Sequence, residues 1–426
     1  MVALALVPSI GILLGGFNSM FGNGVLALTD GALLIIMCLG APPSVRFWRR
    51  VAPALTLALC ALGWAIASVW LGKPVAPDLA LPGLVGCLGM ITTLLCGATL
   101  GFRRARLSDF HDAVVICGVL GLIVGLVLLR GDDAPLTVWR GEFQSRFRGT
   151  LGNANAIGAA YGAMAAFALS RALTTLSDGG QTAARRVKAA WYGVLVAMFL
   201  GGLMLTASRS GMVLTALALG MVAGAALMRR NGQQAMLLVV PVMLAVAVIA
   251  GTGYGDVLFA RFGRLPAEVV VREVIWHHNW DVARQALWTG YGLGAFPEIN
   301  TRSLESLRET QAIWMTNSPH DIVLRLIIDA GLPYLLLIVA SGSVITVQIA
   351  IAARRRGMTL DEIALLTAIL IILGSAMIDI AMEVPAIAAL MFGCSGLLWG
   401  RAIAGHFVHI APPHQRPHPA KVEIGR

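Results

Sequence analysis

The strongest constraint on this chain is a succession of apolar runs, each close to membrane length and almost free of charge. Of 426 residues, 58% are hydrophobic and only 13% charged, and the mean hydropathy is +0.79. About 20 apolar residues in helical form cross roughly 30 Å of hydrocarbon. Such runs must be helices, because a peptide group left unpaired in lipid costs several kcal/mol. Twelve spans are predicted, at about 3–18, 24–41, 53–72, 82–101, 113–130, 154–171, 189–206, 211–228, 234–253, 321–346, 360–380 and 384–403. The first is short and contains Pro8. A cleaved signal peptide is not expected there, since no basic segment precedes the run and no A-x-A site follows.

Basic residues orient the spans. Arg46, Arg49 and Arg50 follow the second; Arg103, Arg104 and Arg106 follow the fourth. Arg171, Arg185, Arg186 and Lys188 follow the sixth, Arg229 and Arg230 the eighth, and Arg354, Arg355 and Arg356 the tenth. Every even-numbered junction is basic, which predicts that those junctions and both termini face the cytoplasm. The long stretch at 255–320 then lies outside, where the rule does not govern long loops. A net charge of +10 on a soluble protein would suggest nucleic acid. Here about half of it serves topology, so no nucleic-acid partner is expected; membrane lipids are. The six cysteines lie inside spans without a CxxC pair and read as small apolar packers.

The whole chain, 1–426, reads as a single membrane domain, with 255–320 as a large external loop and 406–426 as a disordered cytoplasmic tail. Within the loop, Val269 to Trp288 lacks proline and glycine, and Arg272, Trp276, Trp280, Arg284 and Trp288 recur every four residues. That spacing predicts a helix with one Trp/Arg stripe, suited to the headgroup layer. Gly290-Tyr291-Gly292-Leu293-Gly294 should end it in a turn rather than cradle phosphate. His277 and His278 are expected at the interface.

Charges inside a bilayer cost about 2.5–3.5 kcal/mol at a helix centre, so each needs a reason. Asp30, Arg325, Asp329, Asp379 and Glu383 all fall toward the external ends of their spans. Polarity is therefore expected to gather on one side, as a cavity opening outward requires. Asp30 is assigned a bond to a neighbouring helix, and Arg325–Asp329 a pair along one helix.

Four segments fall on the predicted outer face: Arg146-Phe147-Arg148-Gly149-Thr150-Leu151-Gly152-Asn153-Ala154-Asn155; Thr206-Ala207-Ser208-Arg209-Ser210-Gly211; Arg272 through Phe296; and His320-Asp321 leading to Gly331-Leu332-Pro333-Tyr334. In this order the Gly-Asn-x-Asn segment, the Ser-Arg-Ser turn, the Arg-x3-Trp helix before "GYGLGAF" and His-x10-Gly-x2-Tyr resemble the O-antigen ligase and polymerase superfamily, nearest its ligase branch. The resemblance covers about residues 140–340. Asp321 departs from it, since the ligase branch usually has Asn, Ser or Gln there.

The resemblance implies an all-α, polytopic membrane fold of about 12 transmembrane helices in the lipid-carrier glycosyltransferase (GT-C-like) class, with a helical periplasmic loop between helices 9 and 10. It implies inverting transfer of a glycan from undecaprenyl diphosphate, at the periplasmic face of the bacterial inner membrane. The acceptor would be the lipid A core for a ligase, or another glycan repeat for a polymerase.

The residues fit that chemistry. A diphosphate on a membrane-bound tail needs fixed positive charge at headgroup depth, and arginine's planar fork bonds phosphate oxygens in pairs. Arg209 and Arg272 are assigned that role. Charge stabilisation by one such donor is worth about 2.7–4 kcal/mol. His320 is assigned the proton of the acceptor hydroxyl, because imidazole titrates near neutrality; capping the next span or binding phosphate are its alternatives. Arg148, Arg261 and Arg284 are secondary phosphate or glycan contacts. Asn153 and Asn155 either orient sugar hydroxyls or form the turn into span six. No Asp-x-Asp cluster offers itself to Mg²⁺, so no metal and no cofactor are expected. The rival from another class is a transporter or flippase of an anionic lipid-linked substrate.

Overall fold

The structure, a computed structural model, describes residues 1–72, 74–130, 146–177, 182–228, 265–304, 313–314 and 316–405. Among these residues every regular element is helical. In chain order they are α1 (Val2–Leu13), α2 (Met20–Gly40), α3 (Val45–Leu71), α4 (Ala80–Phe102), α5 (Leu107–Arg130), α6 (Ala154–Ser177), α7 (Ala183–Leu205), α8 (Arg209–Leu227), α9 (Leu265–Gln285), α10 (Phe296–Arg302), α11 (Ile322–Arg356), α12 (Leu360–Ala376) and α13 (Pro385–Gly405).

Nine of the described helices are long and apolar enough to cross a membrane. Two predicted spans fall short of that length. α1 stops after 12 residues, because Gly15 and Gly16 turn the chain with φ of +92° and +91°. α12 ends at Ala376, and a connection at 377–384 leads to α13. The ninth predicted span, 234–253, and the tail 406–426 lie outside the described residues.

Small residues allow the closest packing. α6 is alanine- and glycine-rich and buried along most of its length. α4 and α13 meet through Gly97, Gly101, Gly396 and Gly400: a Cβ on Gly101 would stand 2.2 Å from the Leu397 carbonyl oxygen, and one on Gly400 2.0 Å from that of Ala98. Backbones this close are what small-xxx-small spacing provides where lipid offers no hydrophobic drive. Thr93 of α4 donates a hydrogen bond to the carboxylate of Asp30 in α2, so Asp30 has the interhelical role expected of it.

One end of the bundle is basic. Arg103 donates to the Met37 carbonyl at 2.8 Å, Arg401 to that of Ala105 at 2.8 Å, and Arg356 grips Glu362 with bonds of 2.9 and 2.8 Å. The same end corrects the expectation that buried polarity lies only opposite. Arg171 Nε donates to Asp112 at 2.7 Å, Tyr192 donates to the same carboxylate at 2.8 Å, and Ser170 donates to Asp361 at 2.7 Å. His111, fully buried, stacks on Phe167 with its Nδ1 3.5 Å from Asp361. Arg171 and Tyr192 thus satisfy Asp112, and Ser170 bonds Asp361, which offsets part of the cost of burying these groups.

α11 is broken. Ala330 (φ −146°, ψ 19°) and Gly331 (φ 79°, ψ 178°) leave the helical region, and the freed backbone groups need partners. The glycine turn after α9 supplies them. Tyr291 N–H donates to the Ile328 carbonyl at 2.8 Å, Gly292 N–H to that of Asp329 at 2.9 Å, and Leu332 N–H to that of Leu287 at 2.7 Å. Trp64 of α3 donates its indole N–H to the Ala330 carbonyl at 2.9 Å. The turn expected from the sequence is therefore a plug in a split span. It anchors α9 and α10, whose Ala283 and Phe296 pack on Ile327 and Ile328.

The plug tolerates no side chain at two points. A Cβ on Gly331 would stand 2.2 Å from the Trp288 carbonyl oxygen, and one on Gly290 2.6 Å from the Ala330 nitrogen. The backbone of Gly331 also lies in a region open almost only to glycine, at a cost of about 1–3 kcal/mol for other residues. Gly331→Ala is expected to lower folded abundance and thermal stability in detergent. Gly342→Ala, whose Cβ meets nothing within 4 Å, should match the parent; equal stability of the two variants contradicts the interlock.

Candidate active site

At the end of the bundle away from the arginine-rich junctions, a buried carboxylate collects residues from four stretches of chain. Asp379 lies in the connection between α12 and α13, and its side chain is only 2% exposed. His320 Nδ1 is 3.5 Å from Oδ1. Arg272 Nη2, from the middle of α9, donates to Oδ2 at 3.3 Å. Asn155 Nδ2, from the first turn of α6, donates to the same oxygen, and the Ile380 N–H donates to Oδ1 at 2.9 Å. Burial works against ionisation of Asp379, but the His320 contact and charge, the Ile380 N–H and Arg272 outweigh it and hold the carboxyl below its ordinary range.

Local backbone geometry aims these groups. His320 has φ +53°, a left-handed conformation unusual for a residue other than glycine. Asp321 follows it as the N-cap of α11, accepting from the N–H groups of Val323 at 2.7 Å and Leu324 at 3.0 Å. That role explains an aspartate at this position, since its short side chain satisfies two of the helix's orphan donors. With a proton on Nδ1 facing Asp379, the neutral His320 ring keeps Nε2 as an acceptor.

Arg146 links a second arm. Its Nη2 donates to Asn155 Oδ1 at 2.6 Å and its Nε to the Thr206 carbonyl at 2.9 Å. Thr206 opens the turn through Ala207 (φ +48°) and the helix cap Ser208 to Arg209, the first, half-buried residue of α8. The Arg209 turn is thus tied to Asp379 through two side chains. Arg148, also half-buried, stands at the start of the short 3-10 turn Gly149–Leu151.

The structure brings together His320, Arg272 and Asn155, and ties in the turn that carries Arg209. Asn153 is drawn into capping α6, with Oδ1 accepting from the N–H groups of Asn155 and Ala156 at 2.9 Å each. Arg284 is exposed and pairs with Asp281 at 3.1 Å. Arg261 lies outside the described residues. His278 is buried, bonded to Ser303 at 3.0 Å, which corrects its interfacial placement; it faces the core side of α9 while Trp276 and Trp280 face outward. Asp379 and Arg146 were assigned no role from sequence. Asp379 was visible only as a charge at the end of a span, and Arg146 as part of the segment before α6.

Comparison with known proteins bears on what this arrangement does. Residues 193–339, about a third of the chain, match the family described as O-Antigen ligase. The matched segment is similar to the O-antigen ligase superfamily. It contains Arg209, Arg272 and His320, whereas Asn155 and Asp379 reach the cluster from outside it. No curated protein matches the chain. The match supports a glycan-transfer role in O-antigen or lipopolysaccharide biosynthesis for a multi-pass membrane protein.

A carboxylate whose pKa is depressed stabilises the fold above its unfolded pKa, and that contribution is lost as pH falls through the folded value. The Tm gap between the parent and Asp379→Asn should therefore not narrow from neutral pH downward, and should close only below about pH 4. A gap already closing near pH 6 contradicts a charged Asp379 at the centre of the site.

Proposed function

We propose that the protein catalyses inverting transfer of an O-antigen-type glycan from undecaprenyl diphosphate to the lipid A core, at the periplasmic face of the inner membrane, with both termini cytoplasmic. The observation that carries this reading is the shared carboxylate: a histidine and an arginine from distant segments meet on Asp379 at one end of a membrane bundle.

In the proposed reaction the acceptor hydroxyl oxygen attacks the anomeric carbon. A new glycosidic bond forms on the opposite face as the bond to the phosphate oxygen breaks, and the polyprenyl diphosphate leaves with the electron pair. Nε2 of His320 takes the hydroxyl proton, and Asp379 stabilises the resulting imidazolium. Arg272 and Arg209 offset the negative charge that grows on the leaving diphosphate, where fixed guanidinium groups act without reorganisation. The Arg272 side chain is 31% exposed, so one edge of its fork is held by Asp379 while other N–H groups remain for phosphate. Arg148 and Asn155 are assigned contacts to the phosphate or glycan. Arg261 and Arg284 belong to the same proposal as outer glycan contacts. The reaction proposed needs no metal and no cofactor.

Arg209→Ala and Arg272→Ala are each expected to abolish transfer, measured with purified protein, a polyprenyl-diphosphate glycan and lipid A core, without loss of membrane abundance. Arg272→Lys should recover little activity, because a point charge cannot reproduce a fork that bonds Asp379 and phosphate together. Full activity in Arg272→Lys contradicts the assigned role, and activity lost in excess EDTA contradicts metal independence. Growth of glycan on a second donor instead of on lipid A core identifies a polymerase. Flux of intact lipid-linked substrate that survives His320→Ala identifies a transporter.

A further inference from the structure

The reaction above makes no use of Ser318, Glu383 or Arg325, yet these residues reach the backbone of the histidine. His320 holds φ +53°, a strained left-handed conformation that persists only where neighbours over-determine it. Its N–H donates to Ser318 Oγ at 3.1 Å. Ser318 is buried and donates its only hydroxyl proton to Oε1 of Glu383. Its lone pairs are thereby left to the His320 amide.

Glu383 is held in turn. Its Oε2 accepts from Arg325 Nη1 at 3.0 Å. Arg325 Nε donates to Asp329 Oδ2 at 3.0 Å, and Asp329 Oδ1 accepts from the Gly294 N–H at 3.2 Å. This series runs without interruption from the plugged break in α11 to the His320 amide. Asp379 and Glu383 sit four residues apart on one short connection. The first meets the imidazole and the second, through Ser318, the backbone of the same residue.

We propose that Glu383, acting through Ser318, is a positioning residue that fixes the backbone of His320 and so the direction of its imidazole. Two other roles fit less well. A second proton acceptor would need a free oxygen, but both Glu383 oxygens are engaged. A substrate contact would need an exposed hydroxyl, and Ser318 is 2% exposed.

The inference rests on His320 acting in transfer, so its test carries one readout that needs no substrate. In full-length protein, the rate at which diethyl pyrocarbonate modifies His320 is followed by peptide mass spectrometry, with exposed His277 as internal reference. Ser318→Ala and Glu383→Gln should change the His320 rate several-fold and leave His277 alone; Ser318→Thr, which keeps the hydroxyl, should restore the parent rate. In the transfer assay Ser318→Ala should lower kcat about 10–100-fold, as a small misplacement of a reacting group does, with KM for the lipid-linked donor nearly unchanged. An unchanged His320 modification rate overturns the proposal, as does a raised KM with parental kcat. If the modification rates shift as expected but the parent transfers no glycan, positioning is supported and the proposed function fails.

Discussion

The burial of one carboxylate among opposite charges organises this end of the molecule. A carboxylate removed from water is strongly disfavoured unless hydrogen bonds and cations replace its hydration. Asp379 obtains them from the Ile380 amide, Asn155, Arg272 and His320. Each of those groups belongs to a different piece of chain, so satisfying the aspartate forces α6, α9 and the start of α11 to converge beside α12. Energetic necessity and chemical arrangement coincide: the contacts that make burial tolerable also place a guanidinium and an imidazole side by side.

That convergence needs α9 to be anchored, and the split in α11 supplies the anchor. An unbroken span would offer no free backbone to the loop, and α9 would rest on side-chain packing alone. Opening the helix at Ala330–Gly331 exposes carbonyls that the Gly290–Gly294 turn and Trp64 then satisfy. Arg325 and Asp329, just before the break, extend the attachment to Glu383. The geometry around His320 is therefore set partly by main-chain contacts.

Much of this was legible in the sequence, for identifiable reasons. Span positions follow from run length and lipid thickness, and most of the predicted spans in the described residues are helices of matching position. α9 follows from four-residue spacing, and its terminating turn from the glycines. The Arg325–Asp329 pair follows from helical geometry at i, i+4. Arg272 and His320 were recognisable because arginine and histidine on one predicted face have a distinct chemistry. Asp379 was not, because its significance lies wholly in tertiary contacts: a charge at the end of a span reads the same whether it faces water or a histidine. The break in α11 was hidden similarly, as Gly331 and Pro333 are common in spans and only the partner turn reveals what they accommodate. The paired ions at the arginine-rich end escaped because Arg171 was read only as a topology signal, and its pairing with Asp112 exists only in tertiary contact.

The central claim is that His320 and Asp379 act as one unit, and a double-mutant cycle on glycan transfer tests it most directly. His320→Ala, Asp379→Asn and the combined variant are compared with the parent using the same donor and acceptor. Residues that work together lose most of their effect with the first substitution. The account predicts a combined variant no slower than His320→Ala alone. Losses that multiply would mean that the two side chains act independently, and the arrangement described here would not be the reacting one.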